Sequence, residues 1–440
     1  MNALPRLTAK TILWGLAIGL VCFSIMSIHS ANLILQGPSR TSEINAEDDD
    51  SFFQAPANAN VSVNLTTTSS VSLTTTTHWN STDRLSTPGI YFCYPEDGNG
   101  YRDIKKVMAS ILPEHELRDV SKLGQNKLIR RQDPKYLIAD YTNEYDVFLI
   151  GRKSTACSAQ MSDWLLENFN GHFVFFSGET EWAHPVAGAR VDRSRYHFFG
   201  SQHSFQAMRS TDLMLTFMQM VWWGVFIERL SPQMMVDPSQ RPRGRIEPEH
   251  TRPSNYMIYG HGNCVNFREA AAGLLSEFGI VHCDGRCQGA TPPSGNRTNL
   301  VKTNHDVSIA NWEKNIDTYS EYRFCLVLEH SIGHETYISE KILMAFIGGC
   351  IPIYYGPELI FDIFNRKAFL FYNISDPQPA LDQIKLLEND ETLYSAMTKE
   401  PIVANGNATI EKYFSFNDTI GKGSLKRRFR EKLGVENLVP

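Results

Sequence analysis

The chain has 440 residues, 42% hydrophobic and 20% charged. It is too apolar to be disordered throughout, and long enough for about two domains of roughly 150 residues plus an appendage. A net charge of −6 gives no global pull toward nucleic acid, and ordinary Gly (29) and Pro (21) counts exclude collagen-like and low-complexity fibres.

Arg6 and Lys10 precede an apolar stretch from Thr11 to Ile28. Roughly eighteen such residues reach the lower edge of what spans a bilayer. The positive charge lies before the stretch, which keeps residues 1–10 cytosolic and translocates the rest. Residues 11–28 therefore read as a transmembrane signal-anchor of type II topology. A cleaved signal peptide ending near Ser27, Ser30 or Ala31 is the competing reading. Either way the body faces an oxidising lumen or the exterior. Seven glycosylation sequons follow, at Asn60, Asn64, Asn80, Asn296, Asn373, Asn407 and Asn417. Cys93, Cys157, Cys264, Cys283, Cys287, Cys325 and Cys350 also follow, and some of them should pair there. Cys283 and Cys287 lack a second pair at zinc spacing, which argues against a metal centre.

Residues 29–87 form a Ser/Thr-rich stem, with an acidic run at Glu47–Asp50 and the tract Thr74–Thr77. Without apolar periodicity it cannot bury enough surface to offset its ordering entropy, so it reads as disordered. Anchor, stem and globular body suit a Golgi-type membrane enzyme, and equally an adhesion protein.

From Pro88 onward, short apolar strands alternate with helical patterns. Gly89–Tyr94, Asp146–Ile150, His172–Ser177, Tyr256–Tyr259, Ile280–Cys283, Phe324–Leu328, Ile351–Tyr355 and Ala368–Phe371 read as strands. Asn266–Phe278 is the clearest helix: Phe267, Ala270, Ala271, Leu274, Leu275 and Phe278 share one face, and Gly279 follows. The alternation predicts an α/β fold with parallel sheets covered on both faces. Leu213–Ile227 is apolar nearly all round. Gln219 and the adjacent Glu228 and Arg229 favour a buried helix over a second membrane span. A Pro-rich stretch, 231–253, reads as a linker between an N-terminal lobe (88–230) and a C-terminal lobe (254–440), with a cleft between them. The basic run Lys426, Arg427, Arg428 and Arg430 reads as a solvated helix face.

Three windows carry chemistry. In Phe324–Pro357 a buried strand ends at Glu329 and His330. A loop holding Tyr337 follows, then a helix starting at Glu340 and Lys341, with Ser339 as its expected N-cap. A strand end beside a helix N-terminus is where doubly wound sheets receive ligands, and Lys341 adds a full charge suited to phosphate. In the second window, Asn263–Arg268, Arg268 sits in a first helical turn, where the dipole disfavours a cation unless an anion docks there. In the third, Phe173–Glu181, a strand delivers Glu179 to the cleft as a general base, with Glu181 as its neighbour.

Together these windows resemble the α1,3/4-fucosyltransferases, glycosyltransferase family 10. Tyr337, Ile338, Glu340, Lys341, Pro352 and Gly356 match the family's long signature. Ser177-Gly178-Glu179 resembles its S/T-G-E motif. The stretch Asn263–Arg268, with Asp284-Gly285-Arg286-Cys287, resembles plant and algal members. His330 stands where the family has Asn, and Ser339 where it has Thr. The loop from Glu329 to Tyr337 is about one residue longer than usual.

The resemblance implies a GT-B fold of two Rossmann-like lobes, with GDP-fucose as donor. Fucose would pass with inversion to a GlcNAc hydroxyl of a glycan or glycoprotein, on the lumenal face of the Golgi membrane. It implies Glu179 as base and Arg268, Glu329, His330, Tyr337, Glu340 and Lys341 as donor-binding residues. No D-x-D motif sits at a strand end, so no cofactor or resident metal is expected, although metal stimulation stays open. Nucleic acid is not an expected partner. The disulfide expected here is Cys264–Cys287, with Cys325 as a rival partner for either. Another inverting nucleotide-sugar transferase and a catalytically dead binding protein are the alternatives.

Overall fold

The computed structural model describes residues 87–92, 99–119, 144–151, 169, 171–176, 196–198, 215–241, 252–303, 311–330 and 337–438. The anchor, the stem, Glu179, Glu181, Cys93, Cys157 and the sequons at Asn60, Asn64 and Asn80 lie outside the described residues. Among the described residues, no helix is long and apolar enough to cross a membrane.

Two all-parallel sheets build the body. The first contains β1 (Gly89–Phe92), β2 (Glu116–Asp119), β3 (Val147–Gly151), β4 (His172–Phe176) and β5 (Tyr196–Phe198), in the order β2-β1-β3-β4-β5. Helix α1 (Asn99–Ile111) makes the crossover from β1 to β2. Strand β2 was not expected. It is Glu-Leu-Arg-Asp on a sheet edge, where one side needs no apolar partner, so it carries no run of apolar residues.

The second sheet contains β6 (Asn255–His261), β7 (Val281–Gly285), β8 (Leu300–Lys302), β9 (Tyr322–Leu326), β10 (Ile351–Tyr354) and β11 (Leu370–Phe371). Its order is β11-β10-β9-β6-β7-β8. Counted from β6, that is the Rossmann order 3-2-1-4-5-6, and the order reverses between β6 and β9. Helices cover both faces, and the strand residues alternate accordingly. Met257, Tyr259, Phe324, Leu326, Ile351 and Ile353 join one apolar cluster, while Ile258, Cys325, Val327 and Tyr354 join the other. The first face receives α4 (Asn266–Leu275), α8 (Gln378–Asn389) and α9 (Glu391–Thr398), and the second receives α5 (Trp312–Tyr319) and α6 (Lys341–Gly348). Gly349, at φ 82°, ends α6 in a left-handed cap and turns the chain into β10.

The apolar segment 213–227 resolves, from residue 215 on, into a buried helix. α2 (Phe217–Val221) runs on as a wide turn through Phe226, with Met218, Met220, Val221, Trp222 and Phe226 fully buried. Gln219, the polar residue within it, forms a reciprocal capping box with Thr216, and its Nε2 donates to the Tyr413 carbonyl at 2.6 Å. Helix α3 (Pro232–Val236), capped by Ser231, lies in the stretch read as a linker. After α7 (Ile360–Ile363) and α10 (Asn407–Tyr413) comes α11 (Ser424–Lys432), which carries the basic run. Sequence assigned α11 to the second lobe, yet it also packs against α1 of the first. Arg430 donates to the Ile111 carbonyl at 3.2 Å and to both Glu114 oxygens at 2.7 and 2.8 Å. The basic face is thus partly inward, since Lys426 and Arg430 are buried.

Candidate active site

The reversal of strand order between β6 and β9 leaves a crevice beyond their C-terminal ends, where the loops diverge. The chain leaving β6 enters α4, and the chain leaving β9 reaches α6. Neither helix has a side-chain cap: Val265 and Glu340 occupy the N-cap positions without bonding first-turn amides. Two helix N-termini with open N–H groups therefore border one crevice, a natural receiver for a diphosphate. Ser339, expected as the cap of α6, lies one residue upstream and turns toward Glu329 instead.

Six residues implied as donor-binding gather around this crevice. Lys341 opens α6, and its side chain is 19% exposed. Its Nζ donates to Ser339 Oγ at 2.9 Å and lies 3.9 Å from both Glu329 Oε2 and Glu340 Oε1. His330 and Tyr337 are hydrogen-bonded through Nδ1 and the phenol oxygen at 2.7 Å, with their rings edge to face. Glu340 is buried beside them at the helix start.

Arg268 and Glu329 are more deeply enclosed than the sequence suggested. Arg268 is 1% exposed and donates to the Leu328 carbonyl at 2.5 Å and to the Asn263 carbonyl at 3.2 Å. Its guanidinium braces the end of β9 against the β6–α4 turn. Its Nε is buried with no hydrogen-bond partner among the described residues, a donor left over for an anion. Burial pulls its pKa down, while Glu329 and Tyr337 hold it up. Glu329 is fully buried. Burial pushes its pKa up, opposed by Lys341 and by the two Ser339 donors.

Sequence reasoning missed His261 and Tyr354, and gave Ser339 only the role of a helix cap. His261 ends β6, is buried, and donates from Nε2 to the Leu326 carbonyl at 3.0 Å. Its pKa lies well below the ordinary 6.5, first through burial and then through the Arg268 and Lys341 charges. Its signal was available: a histidine flanked by Gly260 and Gly262 at a strand end.

A pH dependence follows. His261, His172 and His115 all have pKa values lowered by burial. The unfolded chain protonates first as pH falls through 6.5, so it binds more protons than the folded chain. Stability is therefore retained above that pH and lost below it, most steeply through the fully buried His261, by up to about 1.4 kcal/mol per pH unit while its ring stays neutral. Glu329, with its raised pKa, opposes this in part above its ordinary 4.5. Denaturant midpoints should fall between pH 7 and 5, and His261→Gln should flatten the slope.

The lobe carries two disulfides. Cys264 bridges Cys287 (Cα–Cα 5.1 Å), tying the β6–α4 turn to the end of β7, and Cys325 bridges Cys350 (Cα–Cα 5.9 Å), tying β9 to β10. Cys325, the rival partner for Cys264 or Cys287, is thus occupied. Cys264, Cys287 and Glu269 cluster closely enough to suggest a metal, but both sulfurs are consumed in the bridge. Cys283 is free and buried, and its thiol is pushed up to about 12. Non-reducing peptide mapping should return both bridges, with Cys283 alkylated only after unfolding. A free Cys264 or Cys350 in the folded protein would contradict this.

No protein-family model matches the chain. Over 140 residues it is 29% identical to a protein of Acanthamoeba polyphaga mimivirus named among the fucosyltransferases, covering 32% of this chain and 22% of that one. It is 34% identical over 82 residues to the alpha-(1,3)-fucosyltransferase FucT of Helicobacter pylori (18% and 17% covered). It is 33% identical over 79 residues to the human GDP-fucose protein O-fucosyltransferase 3 (18% and 16% covered). The chain thus spans less than a quarter of the length of these relatives. Among solved structures, an alpha1,3-fucosyltransferase with GDP aligns at 18% identity and a TM-score of 0.47, covering 82% of this chain and 96% of that one. In sequence, the chain resembles the fucosyltransferases.

Proposed function

We propose that the chain is an inverting α1,3-fucosyltransferase of GT-B type that moves fucose from GDP-fucose to a GlcNAc hydroxyl of a glycan. The observation that carries this is the convergence of Lys341, Arg268 and two uncapped helix N-termini on the switch-point crevice of a Rossmann-ordered sheet. The relatives' names supply the sugar.

The chemistry divides between the lobes. As the anomeric C–O bond to GDP breaks, negative charge builds on the leaving diphosphate. Lys341, the open amides of α4 and α6, and the unpartnered Arg268 Nε–H are set to receive it. In this reading Glu340 accepts hydrogen bonds from the ribose hydroxyls, and Tyr337 with His330 shapes the fucose pocket. Glu179, from the first lobe, takes the proton of the attacking hydroxyl. Charge neutralisation is assigned to the protein's own cations. We place the enzyme at the Golgi membrane, held by residues 11–28, with the stem carrying the body into the lumen.

A screen of GDP- and UDP-sugars for donor consumption, with and without a GlcNAc-terminated acceptor, tests this. GDP-fucose should be consumed fastest, with acceptor-dependent transfer and inverted product. Preference for another nucleotide sugar supports the sister-transferase reading, and no turnover of any supports a dead binding protein.

A further inference from the structure

Glu329 and Ser339 are buried, at 0% and 1% exposure, and, unlike Arg268 with its unpartnered Nε, they spend their side-chain polar atoms on one another, on Tyr354 and on Lys341. Glu329 Oε1 accepts from the Ser339 backbone N–H at 2.7 Å and from the Tyr354 hydroxyl at 3.3 Å. Its Oε2 accepts from the Ser339 hydroxyl at 2.8 Å. Three donors on two oxygens form a set that a carboxylate satisfies and an amide cannot. The backbone of Glu329 is held as well, its N–H donating to the Tyr355 carbonyl at 2.8 Å. The single Ser339 hydroxyl proton is committed to Glu329, so the lone pairs of that oxygen remain available. Lys341 Nζ donates to them at 2.9 Å.

We propose that Glu329 and Ser339 are positioning residues: a buried carboxylate–hydroxyl relay that fixes the Lys341 ammonium at the N-terminus of α6. A lysine ammonium rides on a flexible four-carbon stem, and ordering that stem costs affinity when it happens on binding. The relay orders it beforehand. Glu329 thereby leaves the set of direct donor contacts and acts through Lys341. The inference rests on the donor reading above and assigns that site two residues that never meet the ligand.

The test is a double-mutant cycle on GDP affinity, measured by calorimetry with the full chain. Ser339→Ala should weaken GDP binding by about tenfold, the scale of one charge-assisted hydrogen bond. Ser339→Thr, which keeps the hydroxyl, should bind within about twofold of wild type. The Ser339→Ala/Lys341→Ala double variant should bind no worse than Lys341→Ala alone, because a residue acting through Lys341 has nothing left to act on. Ser339→Cys keeps the side-chain length with a poor acceptor, and stands in if the alanine variant does not fold. A purely structural Ser339 would give additive losses, and additivity, or wild-type affinity in Ser339→Ala, overturns the relay. A wild-type chain that binds no GDP overturns the donor reading and the relay with it, whereas binding with additive losses overturns the relay alone.

Discussion

Lys341→Ala should weaken GDP binding by roughly ten- to a hundredfold, the worth of a charge-assisted contact of about 1.5–3 kcal/mol. Lys341 opens α6 and is 19% exposed on its side chain, so it is both placed and accessible. Removing it also strips a counter-charge from two carboxylates, Glu329 and Glu340, each 3.9 Å away. The remaining site would then be more negative, which further disfavours a diphosphate. Transfer should fall by more than binding does, because charge on the leaving group grows in the transition state. Calorimetry with GDP and a transfer assay on the same preparation separate the two effects. Normal GDP affinity in this variant would remove the donor assignment's main support.

Glu179→Gln should do the opposite. Glutamine keeps the shape and most of the hydrogen bonding of glutamate but cannot take a proton. GDP affinity should stay near wild type, while kcat falls by about a hundredfold or more. Glu179 lies outside the described residues, three positions beyond the end of β4 at Phe176. Its assignment rests on the Ser177-Gly178-Glu179 motif and on the rule that functional residues follow strand C-termini. Near-normal transfer by this variant would move the base to Glu181.

Much of the architecture was legible because it follows from local pattern. The eight strands read from apolar runs are present with shifted ends, and α4 begins at Asn266 as its periodicity requires. It ends at Leu275, three residues earlier than the apolar face suggested, where the Ser276 hydroxyl donates to the Gly273 carbonyl. Gly279 is instead a close-approach position, since a Cβ there would sit 2.8 Å from the Tyr256 ring. What stayed hidden is non-local. β2, β5 and β8 are edge strands of only three or four residues, too short for pattern alone to raise them. The return of α11 to α1 depends on Arg430 finding Glu114, 316 positions away.

The site divides along the same line. Lys341 and Glu340 were visible as charges on a first helical turn. The inward turn of Arg268 was not, because it depends on the Leu328 carbonyl 60 positions away. Ser339 looked like a cap for the same reason that it serves Glu329. A small hydroxyl residue at a loop–helix junction suits both tasks, and only the fold brings the strand end within 2.8 Å. The second-lobe disulfides follow the sheet: 264–287 joins the loops after the neighbouring strands β6 and β7, and 325–350 joins β9 to the residue before its neighbour β10.

The central claim is that the crevice between β6 and β9 receives a nucleotide diphosphate at the N-termini of α4 and α6. A crystal structure of the chain with GDP tests it directly. The account predicts the diphosphate within hydrogen-bond distance of Lys341 Nζ, lying over the first turns of both helices and on the Arg268 side of the crevice. GDP bound elsewhere, or bound here with Lys341 turned away from the phosphates, would contradict it.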